Sequence, residues 1–177
     1  MNLRLIKPLL IGILGVLSVV TLISLLLPSQ VMTSKWVQVA AGKDTILNNI
    51  RDLNQWKDWN GLLTNARDIQ VVQKTSLTDT GSRIFWTDLR DYHNEIRVTG
   101  NNEKGLVTNL YMGNQRPMTS GFSVEKRHPD SVQVVWYIVE NLKWYPWEKF
   151  YGMMSGDMKG PVMQESLYQL KKRLQTQ

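Results

Sequence analysis

The chain has 177 residues, enough for one domain and an appendage, and combines 42% hydrophobic content with a net charge of +6. It contains no Cys, which excludes disulfides, thiolate metal ligands and cysteine nucleophiles, and its two histidines, His93 and His128, are too few for a multi-histidine metal centre. The basic residues are scattered rather than drawn into a stripe, so no nucleic-acid partner is expected, only some attraction to anionic lipid.

The run from Leu9 to Leu27 carries no charge and departs from apolar residues only at Gly, Ser and Thr. Counted from Pro8, about 20 residues at about 1.5 Å each match the roughly 30 Å hydrocarbon core of a bilayer. Arg4, Lys7 and the α-amino group precede it, which predicts an N-terminus held in the cytoplasm and a domain on the far side of a bacterial inner membrane. A cleavable signal peptide is the rival, but its apolar region is usually shorter, and Pro28-Ser29-Gln30-Val31-Met32 makes a poor cleavage site. The expected organisation is an anchor over 1–28, with residues 8–27 in the membrane, a linker over 29–33 and a domain over 34–177.

Ser34 to Ala40 alternates as a first strand, and Gly42 ends it. Asp44 is the expected N-cap of a helix over Thr45–Asn54 that buries Ile46, Leu47, Ile50 and Leu53. A short second helix or turn follows with Trp56 and Trp59. From Ala66 onwards the pattern changes to strands separated by turns at Thr78–Gly81, Asn101–Gly105, Gly113–Gln115 and His128–Asp130. Val132, Val134, Trp136 and Ile138 share one face of the last strand. A final helix from Gly160 aligns Met163, Leu167, Leu170 and Leu174 in one apolar stripe, with Pro161 in its first turn and Lys171, Lys172 and Arg173 in its last. Strand, two helices, about six antiparallel strands and one long helix make an α+β domain.

Two stretches carry a family likeness. Asp52-Leu53-x-x-Trp56-x-x-Trp59 is one; the other runs from Val134-x-Trp136 through Pro146, Met153, Met154, Met158 and Gly160-Pro161 to Leu167-x-x-Leu170-Lys171. Together they resemble membrane-anchored bacterial members of the START/polyketide-cyclase superfamily, also called SRPBCC. The resemblance implies the helix-grip fold, in which a curved antiparallel sheet of about seven strands grips the C-terminal helix around a cavity for a hydrophobic molecule. Asn141-Leu142-Lys143-Trp144 departs from the small, glycine-bearing loop more usual there.

A curved sheet cannot lie flush on a straight helix, and the gap is filled by side chains or left for a ligand. Trp86, Tyr111, Phe122, Trp136, Met154 and Met158 are the expected ligand-binding wall, with Met153 and Met163 beside them. The alternative is that these side chains pack the interior solid. Trp56, Trp59, Trp144, Tyr145 and Trp147 are the expected cavity mouth or membrane contact; the alternatives are that Trp56 and Trp59 pin the short helix to the sheet and that the other three are ordinary loop packing. Asp79 heads an Asp-Thr-Gly triplet, but it stands in a turn without a partner carboxylate. His93 with Glu95, and Asp88 with Asp91, read as solvated surface. No catalytic residue, metal or cofactor is expected. The function read from the sequence is membrane-tethered binding of a lipid-like or other hydrophobic small molecule. The resemblance leaves two alternatives: a cyclase- or hydrolase-like enzyme using Glu140 or Asp157 near the portal, and a chaperone-activator-like interaction module with a filled core. The sequence identifies no protein partner.

Overall fold

The computed structural model describes residues 3–74, 80–128 and 131–176. Helix α1 (Leu3–Leu26) contains the apolar run, and within it Ile6–Leu26 is long and apolar enough to cross a membrane. Nearly all of that stretch stands clear of the rest of the chain, leaving an apolar column that water would not tolerate cheaply.

Strand β1 (Gln30–Val39) begins earlier than the alternation from Ser34 indicated, so residues 30–33 are strand rather than linker. Their partner explains this, because Gln30 to Val39 pair antiparallel with Asn141 to Val132. Helix α2 (Lys43–Arg51) has Gly42 at its N-cap; Asp44 makes no cap and instead places a carboxylate in the first turn, against the positive end of the helix. After a 3₁₀ turn over Leu53–Gln55 comes α3 (Trp56–Trp59), then a second turn over Gly61–Leu63. The Asp52 side chain accepts from the Asn54 N–H at 3.1 Å and starts the first of these turns.

The remaining strands are β2 (Arg67–Val72), β3 (Arg83–Thr87), β4 (His93–Asn102), β5 (Gly105–Met112), β6 (Met118–His128) and β7 (Ser131–Asn141). Among the described residues they form one antiparallel seven-stranded sheet in the order β1-β7-β6-β5-β4-β3-β2. Register shifts between Val98 and Gly100 and between Lys126 and His128 bend the sheet, as bulges do. Of the Thr78–Gly81 turn, Thr78 and Asp79 lie outside the described residues, while Thr80 and Gly81 are in a turn. The β4–β5 hairpin forms where expected. Gly105 is required there because a Cβ would lie 1.7 Å from the Phe122 carbonyl oxygen.

Helix α4 (Pro146–Gln175) is 30 residues long and starts well before Gly160. Pro146, not Pro161, occupies the first turn, where a missing N–H costs nothing. Pro161 stands mid-helix and forfeits one i→i−4 hydrogen bond, a defect worth about 3 kcal/mol in an isolated helix. Packing offsets it: Met163, Leu167, Leu170 and Leu174 face the sheet as the stripe predicted, and all four are buried. Arg173 pairs with Asp58 and ties the end of α4 to α3. The core runs from Ile46, Leu47, Ile50 and Leu53 across Ile84, Ile96, Leu106 and Leu110 to Val134 and Ile138.

Candidate functional site

The centre of the grip is filled. Trp56 and Trp59 lie 5.4 Å apart by ring centroids, each sets its edge against Phe122 at 5.5 and 5.7 Å, and Phe122 stacks on Trp136 at 5.1 Å. Two of the three indole N–H groups are spent internally, Trp56 Nε1 donating to the Ile50 carbonyl at 2.7 Å and Trp136 Nε1 to Ser120 Oγ at 2.9 Å, while Trp59 Nε1 is buried without a hydrogen-bond partner. Four interlocked rings occupy the space where the resemblance placed a cavity. Trp56 and Trp59 are therefore buried wedges under the sheet rather than residues of a mouth.

The other expected wall residues scatter. Trp86 does face inward with Phe122 and Trp136. Tyr111 points to the opposite face of the sheet, where the Arg97 guanidinium lies 5.2 Å from its ring centre. Met154 and Met158 are 63% and 60% exposed on the outer side of α4, with Met153 also exposed, and none of them lines the interior. Starting the helix at Gly160 left these three methionines without a helical phase.

One cleft, of about 310 Å³, opens at an end of the grip, bounded by residues 114–118 between β5 and β6, by residues 140–143 at the end of β7, and by Glu148 and Tyr151 on α4. Glu140 belongs to the inward alternation of β7 that begins at Val132, which places a carboxylate among apolar neighbours at 7% exposure. Lys159, three turns into α4, brings its ammonium to 2.5 Å from Glu140 Oε1. The two charges touch without the alignment of a hydrogen bond, and Thr33 Oγ1 and Ser155 Oγ are likewise buried without hydrogen-bond partners. Lys159 also stands 5.9 Å from the centre of the Tyr151 ring. Burial raises the Tyr151 phenol above its ordinary range, and the negative charge of Glu140 adds to the shift.

The same segment that walls the cleft clasps the end of α1. Leu142 N–H donates to the Ser29 carbonyl at 2.8 Å. Lys149, only 2% exposed, donates from Nζ to the Leu27 carbonyl at 3.1 Å and to Ser29 Oγ at 2.7 Å. This puts an ammonium at the negative end of α1, which neutralises carbonyls that have no helical donor. Ser24, fully buried, approaches the Trp144 carbonyl at 3.5 Å. Trp144 and Trp147 project outward, 62% and 67% exposed, on either side of Tyr145, which meets them at 5.6 and 4.7 Å. These three expected mouth residues stand between Lys143 and Glu148 of the cleft wall and do not themselves line it.

Glu140 was legible as an acid near the portal, whereas Asp157 is exposed on α4 away from the cleft lining. Lys149 was missed, although the stripe Met163–Leu174 extended backwards in steps of three and four meets Gly160, Gly156, Gly152 and then Lys149. Gly152 is needed at the clasp, since a Cβ would lie 2.1 Å from Leu142 Cδ1. The acids of the two other pairs weighed from the sequence are committed elsewhere: Asp91 to Arg67 at 2.7 Å, Glu95 to Arg97 at 2.8 Å, and Asp88 to the Arg90 N–H at 2.8 Å. Among the described residues no group of His, Asp and Glu has the arrangement of a metal site.

Neither a family profile nor a curated protein matches the sequence. Solved structures do match. A START superfamily protein from Mycobacterium smegmatis superposes with a TM-score of 0.60 at 19% identity, covering 82% of this chain and 98% of that one. Norcoclaurine synthase from Thalictrum flavum, solved with dopamine and hydroxybenzaldehyde, gives 0.63 at 13% identity over 83% and 87%. A solution structure from Thermobifida fusca gives 0.61 at 15% identity over 82% and 93%. The sheet order, the long terminal helix and these superpositions together establish that the chain has the helix-grip fold of START superfamily proteins.

Proposed function

We propose that the chain is a membrane-tethered helix-grip domain that binds a small apolar or amphipathic molecule in the cleft beside the start of α4. In this reading α1 is retained as a single span with its N-terminus in the cytoplasm. One observation carries it: residues 141–151 both wall the cleft and clasp the end of α1, so the opening stands where a span leaves the bilayer. A cleft of 310 Å³ suits a small molecule or one end of a lipid, and the filled centre leaves no room there for whole acyl chains. Met118, Leu142 and the Tyr151 ring supply apolar wall, while Glu140, with Lys159 against it, places one carboxylate in that wall for orientation. Apolar contact supplies affinity at about 25 cal/mol per Å² buried. The filled interior favours a second reading, a protein-interaction module.

Native mass spectrometry of the detergent-extracted chain separates the two. Binding predicts a co-purified mass, or one acquired from vesicles of bacterial polar lipid extract, that is lost when Gln115→Trp narrows the exposed rim. A chain that stays bare in both settings supports the interaction module instead.

A further inference from the structure

We infer that the outer face of the first half of α4 lies in the headgroup layer of the bilayer, making this helix a second membrane contact beside α1. The inference rests on the reading of α1 as a retained span. Three observations lead to it.

First, the domain covers the last two turns of α1. Ser24 is fully buried, and Val20, Thr21 and Leu27 are partly covered on the same side. Ser24 lies about 4.5 Å short of Leu27 along the helix, at 1.5 Å per residue. The loop that touches it, at Trp144, therefore sits inside the end of the span rather than above it. Second, Trp144 and Trp147 present large exposed indoles at that level, and Trp and Tyr are the side chains that favour the membrane–water boundary. Third, the outward face of α4 changes character along its length. Trp147, Phe150, Met154, Met158 and Pro161 are exposed on it, with Asp157 at the edge; beyond them Glu165, Gln169 and Lys172 take over. The apolar part extends for about 21 Å at 1.5 Å per residue.

A soluble domain rarely leaves a continuous apolar strip of this size in water. Its position, running on from the clasp at the end of α1, makes a lipid surface its occupant. The inner side of the same segment explains how it can face outward: Gly152, Gly156 and Gly160 let the helix seat closely on the sheet, so its bulky side chains are left for the other side. Such a helix rests with its apolar face about 5–10 Å into the boundary between headgroups and acyl chains.

The chain has no native Cys, so single-cysteine variants Met154→Cys, Met158→Cys, Glu165→Cys and Lys172→Cys carry one environment-sensitive fluorophore each. All four positions are exposed, so the fold is retained. The full chain is reconstituted into vesicles of phosphatidylethanolamine and phosphatidylglycerol, with and without nitroxide-labelled lipid. The expected result is blue-shifted emission at 154 and 158, quenched most by a shallow nitroxide, with water-like emission at 165 and 172. If 154 and 158 report water while the chain resists alkaline extraction, the inference fails and the span stands. If the chain is extracted, the span reading fails and the inference with it. Shielding that ignores nitroxide lipid and grows with protein density assigns the face to a second copy and overturns the lipid contact.

Discussion

Replacing Lys149 by Met keeps most of the apolar stem and deletes the ammonium that joins the end of α1 to α4. Two charge-assisted hydrogen bonds are lost, to the Leu27 carbonyl at 3.1 Å and to Ser29 Oγ at 2.7 Å. Hydrogen bonds to charged groups are worth about 1.5–3 kcal/mol each at most, and relief from burying the ammonium gives part of that back, so a net loss of about 2 kcal/mol is expected. For a chain of this size that lowers the melting temperature by about 4–8 °C. Tryptophan fluorescence during urea unfolding in mild detergent gives the free energy, and hydrogen exchange over residues 140–151 reports the clasp itself. A double-mutant cycle with Ser29→Ala should return a coupling of about 0.5–3 kcal/mol, because the two side chains touch. An unchanged midpoint, unchanged exchange and zero coupling would refute the clasp.

Leu167→Ala empties a fully buried site between α4 and the sheet and should cost about 2–5 kcal/mol in the same unfolding assay, where a loss below 1 kcal/mol would contradict the packing. Gly152→Ala drives a methyl toward Leu142, so the cleft wall must shift; the expected outcome is a destabilisation of about 1–3 kcal/mol together with loss of any bound small molecule. The Tyr151 phenol has its pKa raised by burial and then by Glu140, so the folded state holds that proton more tightly than the unfolded chain. Its contribution to stability is therefore complete below the unfolded tyrosine pKa of about 10 and is lost as pH rises through the higher folded value. Ultraviolet difference titration should show one late-titrating phenol that Tyr151→Phe removes and Glu140→Gln moves partway back, since burial remains. Glu140→Gln also tests the enzyme alternative: abolished turnover of a supplied substrate would favour it.

The sheet was legible because period-two alternation fixes which residues face inward, and Val132 to Ile138 obeyed it without exception. The second half of α4 was legible for the same kind of reason, through Met163, Leu167, Leu170 and Leu174. Its first half was not, because the inward positions are Lys149, Gly152, Gly156 and Gly160, and a seam of glycines carries no hydrophobic signal. Losing that phase turned Met154 and Met158 from outer residues into expected wall residues. Trp56 and Trp59 were named for the mouth, yet a pair of indoles three apart more often pins a short helix to a sheet, and the contacts to Phe122 show them doing so. Tyr111 was assigned to the wrong face, although Leu110 beside it is buried in the core. The cleft had no linear signature, since its walls come from three segments brought together by the pairing of β6 with β7 and the packing of α4.

The pairing of β1 with β7 sets a timetable for biogenesis. β1 is the first strand to leave the ribosome, yet its partner β7 is the last, so the edge nearest α1 waits for about a hundred residues of further synthesis. Closing a loop of that length costs about 4 kcal/mol in chain entropy, which intermediate contacts among β2 to β6 must first reduce. Until then the nascent polypeptide holds unsatisfied main-chain donors and acceptors along β1, the condition in which a holding chaperone has most to protect.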